Sequence, residues 1–398
     1  VGNPSPPGLN YVKSQEFMMK EHVSAKAVSH PTVKNVLVLQ GGGALGAYHI
    51  GAYEALHELG FEPDWVTGIS IGALNAAVLA TNKPEDRLRK MTEFWKDISR
   101  PDGAAAHCTG HYRSLYNKSV VAKSMLQGLP NFWTPRVNVM MGMGGAEVQF
   151  SNPTEASYYD TSPMLDTLAR HCNFAWHHQG HGARLSLGAT RVDTGKLEFF
   201  DSLHTPLRPA HALASGSLPP GFPATEIDGR FYWDGGCVTN TPLQAVLDDT
   251  HETADLRVFM VDLWGAHGQA PVTMDGVAWR QKEIQYASRM EQHSTLRKYQ
   301  KLFGRLLHSP ECAPVHDLLH GWAEEVLGRR LRNIDIHTIT YRHTGEESSF
   351  SDAEFSEGSI KRRREMGYVD MLAKLEQVAS AEKIDIRPNH RNGHRVTA

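Results

Sequence analysis

Asn35-Val-Leu-Val-Leu-Gln40 runs directly into Gly41-Gly-Gly-Ala-Leu-Gly46, and this junction decides the fold. The first stretch is short, apolar and ended by glycines, a pattern that is typical of a buried strand. A helix is predicted after it, from about residue 44 to residue 59, with Gly60 as its C-terminal stop. The junction therefore predicts a strand that turns sharply, through glycines, into a helix.

The same alternation continues along the chain. Trp65-Val-Thr67 predicts a second buried strand, and Ile71–Ala80 predicts a second helix. Residues 85–98 form an amphipathic helical pattern, residues 185–200 a strand–turn–strand pattern, and residues 256–261 another buried strand. This order predicts a three-layer α/β/α sandwich with a central, mostly parallel sheet.

The pattern also divides the chain. Residues 1–33 are polar and contain several prolines, which predicts an irregular N-terminal arm. Residues 34–265 are expected to form the α/β domain, in which residues 101–160 have little periodicity and are interpreted as an irregular insertion. Residues 266–398 are more charged and mainly helical in pattern, and we expect a C-terminal extension there.

Composition excludes several classes of protein. The 398 residues are 40% hydrophobic and 21% charged, which is typical of a globular chain, and the net charge of −3 does not favour nucleic acid as a partner. No two of the four cysteines form a C-x-x-C pair, so neither a disulfide framework nor a structural zinc site is expected. The chain shows no signal-peptide pattern and no apolar stretch of membrane-spanning length, which favours a cytoplasmic protein. The amino-acid sequence does not indicate an oligomeric state.

The glycine-rich loop is the first candidate site. Consecutive glycines allow the N–H groups of Gly41, Gly42 and Gly43 to point together into a concave anion-binding site. Such a site suits an oxyanion hole or a phosphate. The loop also satisfies G-x-G-x-x-G, and Glu62 or Asp64 lies about where a ribose-binding acid would be. A dinucleotide-binding oxidoreductase therefore stays open as an alternative.

Gly68-Ile-Ser-Ile-Gly72 is the second candidate site. It matches G-x-S-x-G between a predicted strand and a predicted helix, the context of a nucleophile elbow, in which Gly68 and Gly72 would let the chain turn and expose Ser70. A small-residue turn with a serine N-cap is the alternative.

Asp234-Gly-Gly236, after the apolar Phe231-Tyr-Trp233, is a third motif. Its carboxylate could approach another loop closely, although Asp-Gly is also common in ordinary turns.

Together the three motifs resemble the patatin-like phospholipase family, in the same order along the chain, over roughly residues 34–265. The resemblance implies a serine acyl hydrolase that cleaves carboxylic esters of lipids or lipid-like substrates, with no metal or organic cofactor. It implies Ser70 as nucleophile, Asp234 as base without a histidine, and the glycines at 41–43 as oxyanion hole. Many members have arginine where this chain has Leu45, so a fixed positive charge near the loop is expected to be missing.

Histidines offer a rival catalytic scheme, because Ser–His–Asp is the usual triad with G-x-S-x-G. His251 and His267 follow Asp234, the candidate acid, and their order along the chain is the only feature that fits them to such a triad. His177, His178 and His181 form a cluster, but no carboxylate or cysteine completes a metal-ligand spacing, so a polar loop is the preferred interpretation.

Membrane contact is suggested by two further features. Residues 277–307 carry basic residues on an amphipathic pattern, and the insertion at 101–160 carries Phe132, Trp133 and the Met140–Met143 cluster in a glycine-rich setting. A basic amphipathic helix can lie on an anionic membrane, and flexible methionines suit an adaptable apolar surface. Packing on the core is the preferred interpretation of both, and a solvated helix start is the first interpretation of Lys361-Arg-Arg-Arg364. A non-catalytic lipid-binding protein is the remaining alternative.

Overall fold

The computed structural model describes residues 33–103, 110–136, 149–288, 309–327, 332–343 and 348–384, together with Leu302 and Leu306. The predicted N-terminal arm at 1–33 thus lies outside the described residues, except for Val33. The strands are β1 (Lys34–Leu39), β2 (Trp65–Ile69), β3 (Thr134–Pro135), β4 (Tyr159–Asp160), β5 (Arg184–Arg191), β6 (Leu197–Asp201), β7 (Thr225–Ile227), β8 (Arg230–Asp234), β9 (Leu256–Asp262) and β10 (Ile334–Thr340). The helices are α1 (Tyr48–Glu58), α2 (Ile71–Ala80), α3 (Pro84–Asp97), α4 (Gly110–Gln127), α5 (Ser162–His171), α6 (Phe174–His177), α7 (Pro209–Ser215), α8 (Leu243–Leu247), α9 (Met274–Tyr286), α10 (His316–Leu327) and α11 (Glu357–Glu382).

The main sheet has the strand order β10-β9-β1-β2-β5-β8-β7, and β6 also pairs with β5. The pairs from β10 to β5 are parallel, whereas β6, β7 and β8 run antiparallel to their neighbours. The predicted, mostly parallel sheet is confirmed. The carboxyl ends of β1 and β2 lie side by side in it, so the glycine-rich loop and the serine motif leave the sheet at one edge.

Helices cover the sheet on both faces, which gives the three predicted layers. Alternate residues of β1 divide between the faces. Leu37 and Leu39 join the larger core, which includes residues of α1, α2 and α11, while Val36 and Val38 pack with residues of α8. Because both faces of the central strands are buried, these strands are continuous runs of apolar residues and do not alternate between apolar and polar residues.

The last helix, α11, packs against α1 at close range. A Cβ on Gly51 would stand 1.8 Å from the backbone oxygen of Arg364, and a Cβ on Gly367 would stand 2.0 Å from that of Tyr48, so glycine is required on both helices. The Arg364 guanidinium binds the Glu54 carboxylate at 2.8 and 2.9 Å across this contact. The C-terminal region is thereby held against the helix that follows the glycine-rich loop.

The helices and strands predicted around the first two motifs are confirmed, with one local difference. The helix expected from residue 44 begins as a 3-10 helix, Gly43–Ala47, before α1. Gly60, with a φ of 78°, follows the end of α1 as predicted.

The prediction of an irregular insertion at 101–160 was wrong, because the segment contains the 18-residue helix α4. Its buried positions include the polar residues Arg113, Asn117 and Ser124, while Tyr112 and Leu115 are exposed. The apolar periodicity by which a helix is usually recognised is therefore weak along this segment, and the sequence predicts no helix there.

The C-terminal region contains helices, as predicted, and also a strand that the prediction missed. β10 pairs in parallel with β9 and extends the main sheet. The interpretation of residues 361–364 as a solvated helix start holds for Lys361, which is exposed, but not for Arg363, which is only 2% exposed. Among the described helices, none is long and apolar enough to cross a membrane.

Candidate active site

Ser70 occupies a sharp turn between β2 and α2. Its φ of 57° and ψ of −129° are strained for a residue with a Cβ, as expected of a nucleophile elbow. Neither flanking glycine could carry a side chain, because a Cβ on Gly68 would lie 2.2 Å from Gly72 O and one on Gly72 would lie 2.2 Å from Leu39 O. The Ser70 N–H donates to both the backbone oxygen and Oγ of Ser215, at 3.0 Å each. The turn is thus held in a conformation that places Ser70 on the pocket wall.

Asp234 ends β8 and is 1% exposed. Its Oδ1 accepts the Gly236 N–H at 2.7 Å, whereas Oδ2 is buried with no hydrogen-bond partner of normal geometry among the described groups. Burial raises the pKa of this carboxyl to about 7, and interactions with the Ser70 side chain and the Gly236 N–H oppose the rise. An acid with a pKa near neutrality can both take and return a proton under physiological conditions.

Gly41 links the glycine-rich loop to the other two motifs. A Cβ on Gly41 would stand 2.9 Å from Ser70 Cβ and 2.3 Å from Asn240 Oδ1. The Gly41 N–H donates to Asn240 O at 3.2 Å, and its carbonyl accepts from Asn240 Nδ2 at 2.8 Å and from Trp264 Nε1 at 2.9 Å. The sequence placed Gly41 in the oxyanion hole, and the structure corrects this, because its N–H is already used.

Gly42 and Gly43 differ from Gly41 in this respect. Both line the pocket, and none of the hydrogen bonds among the described residues uses their N–H groups. Gly43 has a φ of 54°, and a Cβ on it would stand 2.1 Å from the backbone oxygen of Asp352. These two N–H groups therefore remain as candidate oxyanion donors, and the loop has no room for side chains.

The pocket in front of these groups has a volume of about 360 Å³. Ser70, Asp234 and Asn240 form part of its polar end. Its apolar wall is built largely from aromatic residues of several chain segments: Phe132, Trp133, Tyr159, Phe222 and Phe355. The Trp133 ring centroid lies 5.4 Å from that of Phe222 and 5.7 Å from that of Phe355. A few polar groups beside a mostly apolar wall suit an ester with an apolar acyl chain.

Sequence reasoning assigned some of these residues differently and missed others. Phe132 and Trp133, considered for an apolar surface that contacts a membrane, are 8% and 7% exposed and form part of the pocket wall. The Met140–Met143 cluster lies outside the described residues. Asp352, Ala353 and Phe355 line the pocket from the C-terminal region, for which the sequence predicts no role. No local motif marks them, since they reach the site only through the fold.

The histidine alternatives are not brought to this pocket. Among its described lining residues there is no histidine. The His251 ring lies against that of His204 at 4.6 Å, in contact with neither Ser70 nor Asp234. His177 and His178 bond separately to backbone oxygens, and no group of three or more His, Cys, Asp or Glu suited to a metal ion occurs within the described ranges.

The acids considered for ribose binding have structural partners. Glu62 accepts from Arg87 at 2.7 Å and from Tyr53 at 3.2 Å, and Asp64 Oδ2 accepts from the Asn35 N–H at 2.8 Å. Neither residue lines the pocket beside the glycine-rich loop. These contacts leave the dinucleotide alternative without a ribose partner among the residues that suggested it.

The basic stretch at 277–307 is described mainly through α9. Arg280 pairs with Glu283 at 2.9 Å, and Lys282 Nζ lies 2.8 Å from both carboxylate oxygens of Asp352. Arg297, Lys298 and Lys301 lie outside the described residues. The membrane-binding hypothesis for this stretch stays a prediction.

Comparisons with known proteins are consistent with this geometry. A family model described as patatin-like phospholipase matches residues 37–247, and a second, described as patatin phospholipase, matches residues 284–386. Patatin-like phospholipase domain-containing protein 6 of Mus musculus is 32% identical over 114 residues, which are 26% of this chain and 8% of that protein. Neuropathy target esterase sws of Drosophila melanogaster is 43% identical over 70 residues, 16% of this chain and 5% of that protein.

Both of these relatives are thus far longer than the part of them that this chain matches. A solved structure, VipD from Legionella pneumophila, is similar with a TM-score of 0.35 and 16% identity, over 87% of this chain and 67% of that one.

Proposed function

Because the chain belongs to the patatin-like phospholipase family, we propose that it is a serine acyl hydrolase whose nucleophile is Ser70 and whose base is Asp234. The observation that supports this best is a strained, pocket-facing serine beside a buried carboxyl group whose pKa is raised to about 7 by that burial. A serine hydroxyl is a weak nucleophile until a base removes its proton, and here the base is a carboxylate rather than an imidazole.

The first half-reaction forms the acyl-enzyme. Asp234 Oδ2, the oxygen without a partner among the described groups, accepts the Ser70 hydroxyl proton as Oγ attacks the ester carbonyl carbon. The carbonyl oxygen becomes an oxyanion and is stabilised by the N–H groups of Gly42 and Gly43. Collapse of this intermediate breaks the bond to the alcohol, which leaves with the proton from Asp234. Ser70 then carries the acyl group as an ester.

The second half-reaction reverses the roles with water in place of the alcohol. Asp234 takes a proton from water as the water oxygen attacks the acyl carbon, and the same N–H groups stabilise the second oxyanion. Release of the carboxylic acid returns the proton to Ser70 Oγ. Every proton and every oxyanion contact in this cycle uses a group of the chain, and no cofactor supplies a step.

The substrate class follows from the pocket wall. Burying an acyl chain against aromatic rings gains roughly 0.8 kcal/mol for each CH₂ removed from water. We therefore assign esters of lipids or lipid-like molecules as substrates, with the acyl chain against the aromatic wall. The ester of such a substrate is presented at a lipid surface, so peripheral membrane contact belongs to the proposal.

A fluorophosphonate probe tests the proposal directly, because an activated serine attacks its phosphorus, displaces fluoride and becomes a phosphonate ester. We expect the wild-type protein to be labelled on the peptide that contains Ser70 and to hydrolyse p-nitrophenyl butyrate, and Ser70→Ala to do neither. Ser217→Ala, which removes a nearby hydroxyl outside the pocket, is the matched control. Labelling that persists in Ser70→Ala would refute the assignment.

The two alternatives give different results in the same preparation. A non-catalytic lipid-binding protein would bind vesicles without any Ser70-dependent turnover. A dinucleotide-binding oxidoreductase would show saturable binding of a nicotinamide cofactor that Gly43 substitutions weaken and Ser70→Ala does not.

A further inference from the structure

We propose that the C-terminal region completes the active site and that Arg363, on α11, is the positioning residue that holds the glycine-rich loop in its working geometry. The inference rests on the proposed function, since it assigns a role in the same acyl transfer. Arg363 lies 293 positions after Ser70 in the chain and does not line the pocket, so it acts through other residues.

The Arg363 guanidinium joins three segments at one point. Its Nη1 donates to Ala44 O at 3.1 Å and to Glu354 O at 2.9 Å, and its Nη2 donates to Ser351 O at 3.0 Å. Ala44 belongs to the 3-10 helix that begins at Gly43, and the other two oxygens belong to the turn at residues 351–354. One rigid, planar group thus connects α11, the turn and the oxyanion loop.

The turn that Arg363 holds lies on the candidate oxyanion donor. The backbone oxygen of Asp352 occupies the space that a Cβ on Gly43 would need, at 2.1 Å. The same turn gives Asp352 and Ala353 to the pocket lining, and Phe355 follows it in the aromatic wall. Movement of the turn would therefore shift the Gly43 N–H directly, whereas four of the five aromatic residues of the wall belong to other segments of the chain.

The charge of Arg363 is compensated, which makes the arrangement stable. Arg363 is 2% exposed, and the carboxylate of Glu354, which is fully buried, lies 3.9 Å from Nη2. Glu354 Oε1 also accepts the Ser356 N–H at 3.0 Å, at the N-terminus of α11. Removing the guanidinium would withdraw a donor from three carbonyl oxygens and leave a buried carboxylate without its cation.

Loss of Arg363 should affect the chemical step more than binding. An oxyanion donor stabilises the transition state, and a displacement of about 1 Å can cost on the order of 100-fold in rate. The pocket wall consists mainly of residues that Arg363 does not contact, so binding of a short substrate should change little. A lowered kcat with a nearly constant KM distinguishes loop positioning from a general effect on the pocket.

The test compares Arg363→Met and Arg363→Lys with Arg364→Met, the matched control. Arg364 is the next residue of the same helix, and its guanidinium binds Glu54 without touching the loop. Each full-length variant is assayed with p-nitrophenyl butyrate, labelled with a fluorophosphonate probe, and melted to establish that it is folded at the assay temperature.

We expect Arg363→Met to lower kcat by roughly 10- to 100-fold with KM within about twofold, and to slow probe labelling in parallel. Arg363→Lys keeps the buried charge but cannot bond the three oxygens as a fork, so its kcat should lie between those of Arg363→Met and wild type. If Arg363→Met does not fold, Arg363→Lys decides alone. A folded Arg363 variant with the kcat of Arg364→Met, or one in which only KM rises, overturns the inference.

Failure of the proposed function has a separate signature. In that case the wild-type protein and Arg364→Met also lack Ser70-dependent hydrolysis. If both hydrolyse the ester and the Arg363 variants match them, the acyl hydrolase stands and only the role of Arg363 is lost.

Discussion

Ser215 holds the backbone of Ser70 in place. Its Oγ accepts the Ser70 N–H at 3.0 Å and donates to Gly188 O at 2.5 Å, so it ties the nucleophile turn to strand β5. The Ser215 backbone oxygen accepts the same N–H at 3.0 Å. The strained turn is therefore stabilised from outside its own motif, by the end of helix α7.

Ser215→Ala should lower kcat while leaving the chain folded. The backbone oxygen remains as an acceptor, so we expect a moderate loss of roughly 3- to 10-fold in kcat and about 1 kcal/mol in the free energy of unfolding. Ester turnover and urea unfolding measure the two effects. Ser217→Ala removes a buried hydroxyl two residues away, bonded to Leu213 O at 3.0 Å, and should lose similar stability without the loss in kcat. Equal kcat in the two variants would remove Ser215 from the mechanism.

Ser70→Ala and Asp234→Asn should each abolish nearly all esterase activity. Because the two residues act as one unit in proton transfer, the loss in the double variant should be much less than the product of the single losses. Initial rates with a short ester, measured on all three variants and on His251→Ala and His267→Ala, test this. If either histidine variant is as damaged as Ser70→Ala while Asp234→Asn keeps most activity, the dyad is wrong.

The pH profile should report the Asp234 carboxyl. Burial raises its pKa from 3.8 to about 7, and the base acts only when it is ionised. The value of kcat/KM should therefore rise about tenfold per pH unit below about pH 7 and level off above it. The profile is measured with an ester whose own ionisation is constant over the range. A midpoint near pH 4 would show that Asp234 is not shielded from water as the structure places it.

Asp262, at the end of β9, is a second buried acid, and it lies outside the pocket lining. Burial raises its pKa from 3.8 to about 7, and its Oδ1 has no hydrogen-bond partner among the described groups. The folded state then binds more protons than the unfolded state between about pH 4 and pH 7. The free energy of unfolding should fall as the pH rises through this window, by on the order of a few kcal/mol from Asp262.

Asp262→Asn should therefore flatten the pH dependence of stability, because the uncharged side chain does not ionise. Asp234, whose pKa burial also raises to about 7, contributes to the decline that remains. Urea unfolding at about pH 5 and pH 8, for wild type and variant, gives the comparison. The midpoint of the kcat/KM profile should stay unchanged, and an equal decline in both proteins would show that Asp262 is not the source.

The sequence predicted the local parts of the site and missed the parts that depend on tertiary contacts. Gly68 and Ser70 could be assigned because the turn itself imposes the residue types and their spacing. Arg363, Ser215 and Phe355 could not, since each reaches the site across a long stretch of chain and has no local pattern. The surroundings of Leu45 are another feature that depends on tertiary contacts and that the sequence did not predict. A positive charge near the loop was expected to be missing, yet the Arg363 guanidinium binds the neighbouring Ala44 carbonyl at 3.1 Å.

Fold prediction failed for a related reason at helix α4. Besides Val120 and Val121, that helix buries Arg113, whose Nη2 donates to Ser359 Oγ on α11 at 3.2 Å. Apolar periodicity detects helices that pack through hydrophobic contacts, and α4 also packs through polar ones. The central strands were predicted well because they are buried on both faces.

The aromatic wall makes a prediction about acyl-chain length. Trp133 contacts Phe132, Phe222 and Phe355 through ring pairs at 4.6 to 5.7 Å, so its indole is a central part of the wall. Trp133→Ala should lower kcat/KM for an octanoate ester by roughly tenfold or more relative to wild type, because several CH₂ groups lose their contact. An acetate ester does not reach the wall and should lose much less. The ratio of the two losses separates a chain-binding role from a general loss of structure.

Trp176→Ala is the control for that ratio. Its indole stacks on His181 at 5.1 Å and does not line the pocket, so both esters should be hydrolysed as by wild type. If Trp133→Ala lowers kcat/KM equally for acetate and octanoate, the wall does not bind the acyl chain. The lipid part of the substrate would then have to lie elsewhere, while the Ser70 and Asp234 chemistry would be unaffected.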